Sequence, residues 1–94
     1  MAAVLVNHRV ADFDTWVKIF EEHGVQRQQM GATASIVWQA ADDPNNVFVL
    51  IKGVDPAKAI AFSQSADLKE RMRQGGVLGQ PSFTLLADGQ KFPS

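Results

Sequence analysis

The order of apolar and polar residues predicts two strands joined by a polar turn in the middle of the chain, over 32–54. Apolar side chains fill 36–38, and 47–51 is an unbroken apolar run. The residues between them, 42–46, read DDPNN. Proline fixes φ, while Asp and Asn tolerate left-handed conformations and bond their own backbone, so this composition favours a turn. The segment therefore predicts a β-hairpin.

A strand and a helix precede the hairpin. The alternation of side chains over 3–10 predicts a strand. Asp12 or Asp14 is expected to cap a helix that runs to Met30, because Gly31 follows where a left-handed residue commonly ends a helix. One face of this helix begins aromatic and ends polar, at spacings of three and four: Phe13, Trp16, Phe20, His23 and Arg27.

Two short helices and a strand follow the hairpin. Asp55 and Pro56 predict a helix start, as N-cap and first helical residue. Ser65 is expected to interrupt that helix and to cap a second one over 66–74. The rest of the chain is predicted to be, in order, a loop, a strand and a polar tail: 77–81, 82–87 and 88–94.

The predicted element order is β-α-β-β-α-β, which is the ferredoxin-like arrangement of an α+β protein. It implies a four-stranded antiparallel sheet with its helices on one face. Phe48 and Trp38 project from the opposite side to Val47 and Val37, so both faces of the hairpin carry bulky apolar groups. An apolar face needs cover, and we expect a second copy of the sheet to supply it in a two-fold homodimer. The alternative is that Trp38 or Phe48 lies near a sheet edge.

The composition argues against several classes of function, among them nucleic-acid binding and metal binding. The chain has 94 residues, a net charge of −1 and no cysteine. We expect one domain over 1–94, with its core in 3–87. The balanced charge argues against nucleic-acid binding, and the lack of cysteine and of any histidine cluster predicts no metal site. No signal peptide or membrane span is predicted, so a cytoplasmic protein without a membrane partner is expected.

Three segments resemble a known family: VNHRVADFDTWVKIFEEH, DDPNNVFVLIKGVD and AKAIAFSQSADLKERMRQGGVLGQPSF. They look like the dimeric α+β barrel proteins, among them the antibiotic-biosynthesis-monooxygenase-like group and small cyclase-like relatives. The resemblance covers 3–87. It implies paired ferredoxin-like sheets, a pocket between sheet and helices, and activities such as cofactor-free oxygenation, lactone isomerisation, aldol cyclisation or haem degradation.

The chain departs from the family's pattern in two respects. No histidine follows His23, so haem ligation from the second helical region is not expected, and we predict no cofactor. Oxygenase members often place a tyrosine in the pocket, and this chain has none.

Two histidines and one arginine are the candidate catalytic residues. His23 and Arg27 lie one helical turn apart and would bind an anionic substrate oxygen if they face the sheet; the alternative is that both are solvated. His8, in the first strand, is a candidate base for a proton next to a carbonyl, or else a buried structural histidine.

Apolar side chains are expected to line any pocket and to bind a small apolar ligand: Trp16, Phe20, Trp38, Phe48, Phe62 and Met72. Aromatic residues at helical spacing are equally typical of a plain core. Two functions therefore stay open. One is a cofactor-free isomerase, cyclase or monooxygenase acting on a small carbonyl, phenolic or lactone compound. The other is a non-catalytic dimeric domain with a ligand-binding or accessory role.

Overall fold

The computed structural model describes residues 2–94, which form one antiparallel sheet and four helices packed on one side of it. The elements follow in the order β1 (Ala2–Val10), α1 (Phe13–Glu22), α2 (Gly24–Gln29), β2 (Ala34–Ala40), β3 (Asp43–Val54), α3 (Pro56–Ser63), α4 (Ala66–Gln74) and β4 (Val77–Leu86). The strand order is β2-β3-β1-β4. This confirms the predicted ferredoxin-like α+β fold.

The helix starts lie where the sequence places them, because each is fixed by a local side-chain bond. Asp12 Oδ2 accepts from the backbone N–H of Thr15, Asp55 Oδ2 from that of Lys58, and the Ser65 hydroxyl from that of Leu68: the three N-caps of α1, α3 and α4. Each bond pairs a backbone donor that the helix itself leaves free.

The predicted single helix up to Met30 is wrong, because it breaks at His23 into α1 and α2. The Phe20 carbonyl would accept from the N–H of Gly24 in a continuous helix. Instead it accepts from the backbone N–H of His23 at 3.2 Å and from a guanidinium N–H of Arg27 at 2.7 Å. Glycine is a poor helix former at the position where the break falls. The break turns His23 into the join between the two helices.

The predicted loop over 77–81 is also wrong, because β4 begins at Val77. Val10 pairs with Val77 and Arg9 with Leu78, but Asn7 pairs with Ser82. Residues 79–81 therefore lie opposite His8 as a bulge in an edge strand. A bulge accommodates the glycine and proline that the sequence reading took as signs of a loop.

The turn between β2 and β3 is shorter than the predicted turn over 42–46. The turn is confined to 41–42, and Asp43 already pairs with Ala40 in the sheet. The next pair is Gln39 with Val47, so 44–46 form a second bulge. Asp43 Oδ1 accepts from the N–H of Asn45 at 3.0 Å and fixes this irregularity.

The two faces of the sheet differ in cover. The helix-side face holds the buried core of β1 and β3: Val4, Val6, Val10, Val47, Val49 and Ile51. On the other face, Trp38 pairs with Phe48 and Ile36 with Leu50 across the hairpin, and Trp38 is 48% exposed. This outer face thus carries an apolar patch, as the alternation of side chains predicts. No helix within 2–94 is long and apolar enough to cross a membrane.

Candidate functional site

An apolar cavity lies between the helix-side face of the sheet and the helices. Its volume is about 50 Å³, which is room for a few water-sized molecules. Three predicted catalytic residues and four predicted apolar ones meet in its wall: His8, His23 and Arg27 with Trp16, Phe20, Phe62 and Met72. The remaining lining side chains are Val6, Ile19, Val49, Ile51, Leu68, Arg71 and Phe83.

His8 projects from the middle of β1 onto the helix-side face and is 5% exposed. Its ring meets the indole of Trp16 edge-on, with 5.3 Å between centroids. Burial lowers the pKa of His8, because the charged imidazolium loses its hydration, so the neutral ring is present at neutral pH. Its Nδ1 is buried and makes no hydrogen bond to residues 2–94. An unpaired buried nitrogen is costly in a stable core and marks His8 as the least satisfied polar group of the cavity.

Trp16, Phe20 and Arg27 continue from His8 as a column of flat groups. The Trp16 and Phe20 rings stack at 5.0 Å, and the guanidinium carbon of Arg27 lies 3.6 Å above the Phe20 ring centroid. The Arg27 cation is held by this ring and by the Phe20 carbonyl. Burial lowers the pKa of Arg27 from its very high ordinary value, and the group keeps its charge at neutral pH.

His23 closes the far side of the cavity and is 3% exposed. Its Nε2 lies 2.8 Å from Oδ2 of Asp67, and its ring stacks on Phe62 with 5.5 Å between centroids. The sequence alternative in which His23 is solvated is therefore wrong. The carboxylate fixes the orientation of the ring, and its Nε2 is thereby already engaged, unlike Nδ1 of His8.

Sequence reasoning missed Asp67 and Arg71, which lie one turn apart on α4. Asp67 orients His23, and Arg71 adds a second cation to the cavity wall. Arg71 follows Leu68 by three positions and precedes Met72, so the helical spacing that identifies the inward residues of α4 also contains Arg71. Nothing in the spacing alone pairs Asp67 with a histidine forty-four positions away.

Trp38 and Phe48 lie away from this cavity. They pair with each other on the outer face of the sheet, whereas the cavity lies on the helix side. The expectation that one pocket holds all six apolar residues is wrong for these two, because alternation along β2 and β3 points them to the opposite side. The roles predicted for the other residues stay predictions. Among residues 2–94, no cluster of three His, Asp or Glu side chains is placed to hold a metal ion.

Comparisons with known proteins agree on the fold. No family model and no curated protein sequence matches the chain. Among solved structures, an antibiotic biosynthesis monooxygenase is 13% identical with a TM-score of 0.69, covering 96% of this chain and 100% of that one. At such identity the likeness shows the fold alone.

Two further structures have the same architecture. SnoaB, a cofactor-independent oxygenase from Streptomyces nogalater, is 9% identical with a TM-score of 0.74, covering 99% of this chain and 97% of that one. A monooxygenase from Streptomyces coelicolor, in complex with nanaomycin D, is 21% identical with a TM-score of 0.64, covering 99% and 92%. The resemblance read from the sequence is thus confirmed as a shared antibiotic-biosynthesis-monooxygenase-like fold.

Proposed function

We propose that this chain, whose fold is that of the antibiotic-biosynthesis-monooxygenase-like structures, is a cofactor-free oxygenase of a small phenolic compound. The observation that carries the proposal is His8: a neutral, buried imidazole with an unpaired Nδ1 in the wall of an apolar cavity. The names of two structural neighbours, a cofactor-independent oxygenase and a monooxygenase, support the reaction type. The side chains of the cavity by themselves are equally compatible with isomerase or cyclase chemistry.

Oxygenation without a cofactor requires an electron-rich substrate, because dioxygen accepts electrons one at a time. His8 accepts the phenol proton and leaves a phenolate, and the fixed charge of Arg27 stabilises it. Dioxygen then forms a bond to the ring carbon and gives a hydroperoxide. The ring C–H proton leaves, the O–O bond breaks, and the products are a quinone and water. The substrate supplies all four electrons, one oxygen atom enters the ring, and the other leaves as water.

We propose further that the active form is a homodimer. The outer face of the sheet carries an apolar patch that includes Trp38, Phe48 and Leu50. Covering such a patch with a second sheet would remove a large apolar area from water. The cavity would then lie on the opposite side of each sheet from the interface.

Oxygen uptake with 1,5-dihydroxynaphthalene, whose ring carbon para to a hydroxyl carries hydrogen, tests the reaction. The assay contains a chelator and no flavin, haem or reductant, and labelled dioxygen follows the transferred atom. We expect one oxygen atom in each quinone and a rate about a hundredfold lower for His8→Gln, the usual size of a general-base contribution. Lys18→Gln, an exposed change on α1, is the control and should retain the wild-type rate.

The small volume of the cavity favours a second candidate, a non-catalytic domain that binds a small ligand. The same assay separates the two functions. Wild-type uptake no faster than autoxidation without protein would exclude the oxygenase and favour the binding domain, whereas equal enzymatic rates for wild type and His8→Gln would exclude His8 as the base.

A further inference from the structure

The cavity beside His8 is too small for an organic ring. An apolar cavity of about 150 Å³ holds benzene, whereas this one measures about 50 Å³. It suits dioxygen or a few waters. A phenolic substrate must therefore place most of its body elsewhere and bring only its reacting edge to the cavity.

A much larger groove adjoins the cavity between α4 and β4, with a volume of about 450 Å³. Ordinary ligand sites measure about 300–1,000 Å³, so this groove is of sufficient size for one or more fused rings. Leu68, Met72 and Phe83 line both the groove and the cavity. They form the partition between the two spaces, and Met72 is its most adaptable member because its thioether side chain is unbranched and flexible.

The bulge of β4 forms the open side of this groove. Gly79, Gln80 and Pro81 line it and lie opposite His8, where β4 leaves its regular register with β1. A side chain added at Gly79 would meet no atom within 4 Å, so nothing fills the space beside the bulge. The bulge that lines the groove is thus also the irregularity that faces His8 in the neighbouring strand.

The charge of the groove favours an anion. Lys69 and Arg73 line it, and no acidic residue does. Arg73 is neutralised by two bonds to Glu70. Lys69 is exposed and makes no ion pair with residues 2–94. The groove combines an apolar floor of Leu68, Met72, Val77, Pro81 and Phe83 with one uncompensated cation at its rim.

We infer that the groove between α4 and β4 binds the organic substrate, and that this substrate is a planar aromatic anion whose carboxylate or similar group pairs with Lys69. Its ring lies on Met72 and Phe83, and the partition admits only the reacting edge to the cavity. The inference rests on the proposed function for its chemistry, but the binding site is testable without turnover.

Methyl-labelled methionine and NMR test the site directly, with naphthoate as the anionic probe and naphthol as the neutral one, in the absence of dioxygen. Met72 lines the groove, while Met30 is buried elsewhere and provides an internal control. The spectrum of Met72→Leu assigns the Met72 signal. We expect naphthoate to shift the Met72 methyl, not the Met30 methyl, and to bind about fivefold more tightly than naphthol, as one partly exposed ion pair allows.

Lys69→Glu should abolish that preference and leave naphthol binding within about twofold. Lys58→Glu makes the same change in net charge at a hollow lined by Met30, and should leave both affinities unchanged. A shift at Met30 alone, no binding of either probe, or equal loss of both probes in Lys69→Glu would overturn the inference. Lys69-dependent binding of naphthoate, with no oxygen uptake in the dihydroxynaphthalene assay, would retain the site and reject the oxygenase. Oxygen uptake with 1,5-dihydroxynaphthalene, together with a naphthoate shift at the Met30 methyl alone, would retain the oxygenase and reject the proposed groove.

Discussion

The Nε2 of His23 lies 2.8 Å from Oδ2 of Asp67, and this contact joins the break between α1 and α2 to the first turn of α4. The His23 side chain is 4% exposed while the Asp67 side chain is 56% exposed. A surface carboxylate thus satisfies a buried ring that also stacks on Phe62. We interpret His23 as a residue that holds the helical layer over the cavity, and His8 as the one left free for chemistry.

Removal of the carboxylate should therefore cost stability. Asp67→Ala is expected to lower the free energy of unfolding by about 1 kcal/mol, because the buried Nε2 loses its partner. Asp67→Asn should lose less, since its amide oxygen still accepts a hydrogen bond. Denaturant unfolding measures both. Asp14→Ala removes an exposed acid from the first turn of α1 and controls for the helix dipole. Equal losses for Asp67→Ala and Asp14→Ala would mean that the contact with His23 adds nothing.

The free energy of unfolding should decrease as the pH is lowered, because His8 is buried as a neutral ring. Burial lowers the pKa of His8 in the folded state, so below about pH 6.5 the unfolded chain binds a proton that the folded chain does not. The free energy of unfolding then decreases, by less than about 1.4 kcal/mol per pH unit, the limit for one proton. His8→Phe lacks this group and should show a shallower slope between about pH 5 and 7.

Acids with lowered pKa values do not affect the comparison of wild type with His8→Phe between about pH 5 and 7. Asp12, Asp43 and Glu70 titrate below their ordinary range, through hydrogen bonds to Thr15, to Asn45 and to Arg73 respectively. Their protonation destabilises the protein only at lower pH, and His23 is present in both proteins. Parallel curves for wild type and His8→Phe would show that His8 does not carry the dependence.

A side chain at position 75, which is Gly75, would press on the indole of Trp16. The φ of −78° at Gly75 suits any residue, but a Cβ at this position would lie 3.2 Å from Cδ1 of Trp16 and 3.6 Å from Cβ of Ile19. Gly75→Ala should displace the indole and cost about 1 kcal/mol or more through overpacking. Thermal unfolding and tryptophan fluorescence measure the two effects. Gly89→Ala, with no atom within 4 Å of the new Cβ, should change neither. An unchanged emission spectrum for Gly75→Ala would contradict the predicted movement.

The outer face should mediate association. We expect light scattering to give twice the mass of one chain for the wild type and a single-chain mass for Trp38→Lys, because a charge within the apolar patch would be buried without a partner. Val25 is 59% exposed on α2, compared with 48% for Trp38 on the sheet. Val25→Lys is therefore the matched control and should remain dimeric. A wild-type monomer would refute the dimer prediction.

Local signals predicted the helix starts, and long-range contacts account for what the sequence left open. Asp12, Asp55 and Ser65 each bond a backbone N–H three residues along, so the information lies within one turn of chain. At the break, the Arg27 side chain donates a hydrogen bond to the Phe20 carbonyl, and the regular spacing of the aromatic stripe does not reveal this contact.

The candidate site was predictable only in part, for a similar reason. The stripe from Trp16 to Arg27 does face the cavity, as its helical spacing suggests. Trp38 and Phe48 were misplaced because residue type alone does not show which sheet face the helices cover. The partnership of His23 with Asp67 requires the packing of α4 against α1, which no local pattern records.

The bulge at 79–81 makes the strand beside the groove tolerant of changes in length. His8 keeps its pairing with Val47 on the β3 side, so its position does not depend on the register of β4 at this point. Residues inserted or deleted between Leu78 and Ser82 would alter the outline of the groove without shifting the imidazole. A library of lengths and sequences at these positions, in laboratory evolution, would therefore vary which substrate shapes the groove accepts while the proposed base, His8, stays fixed.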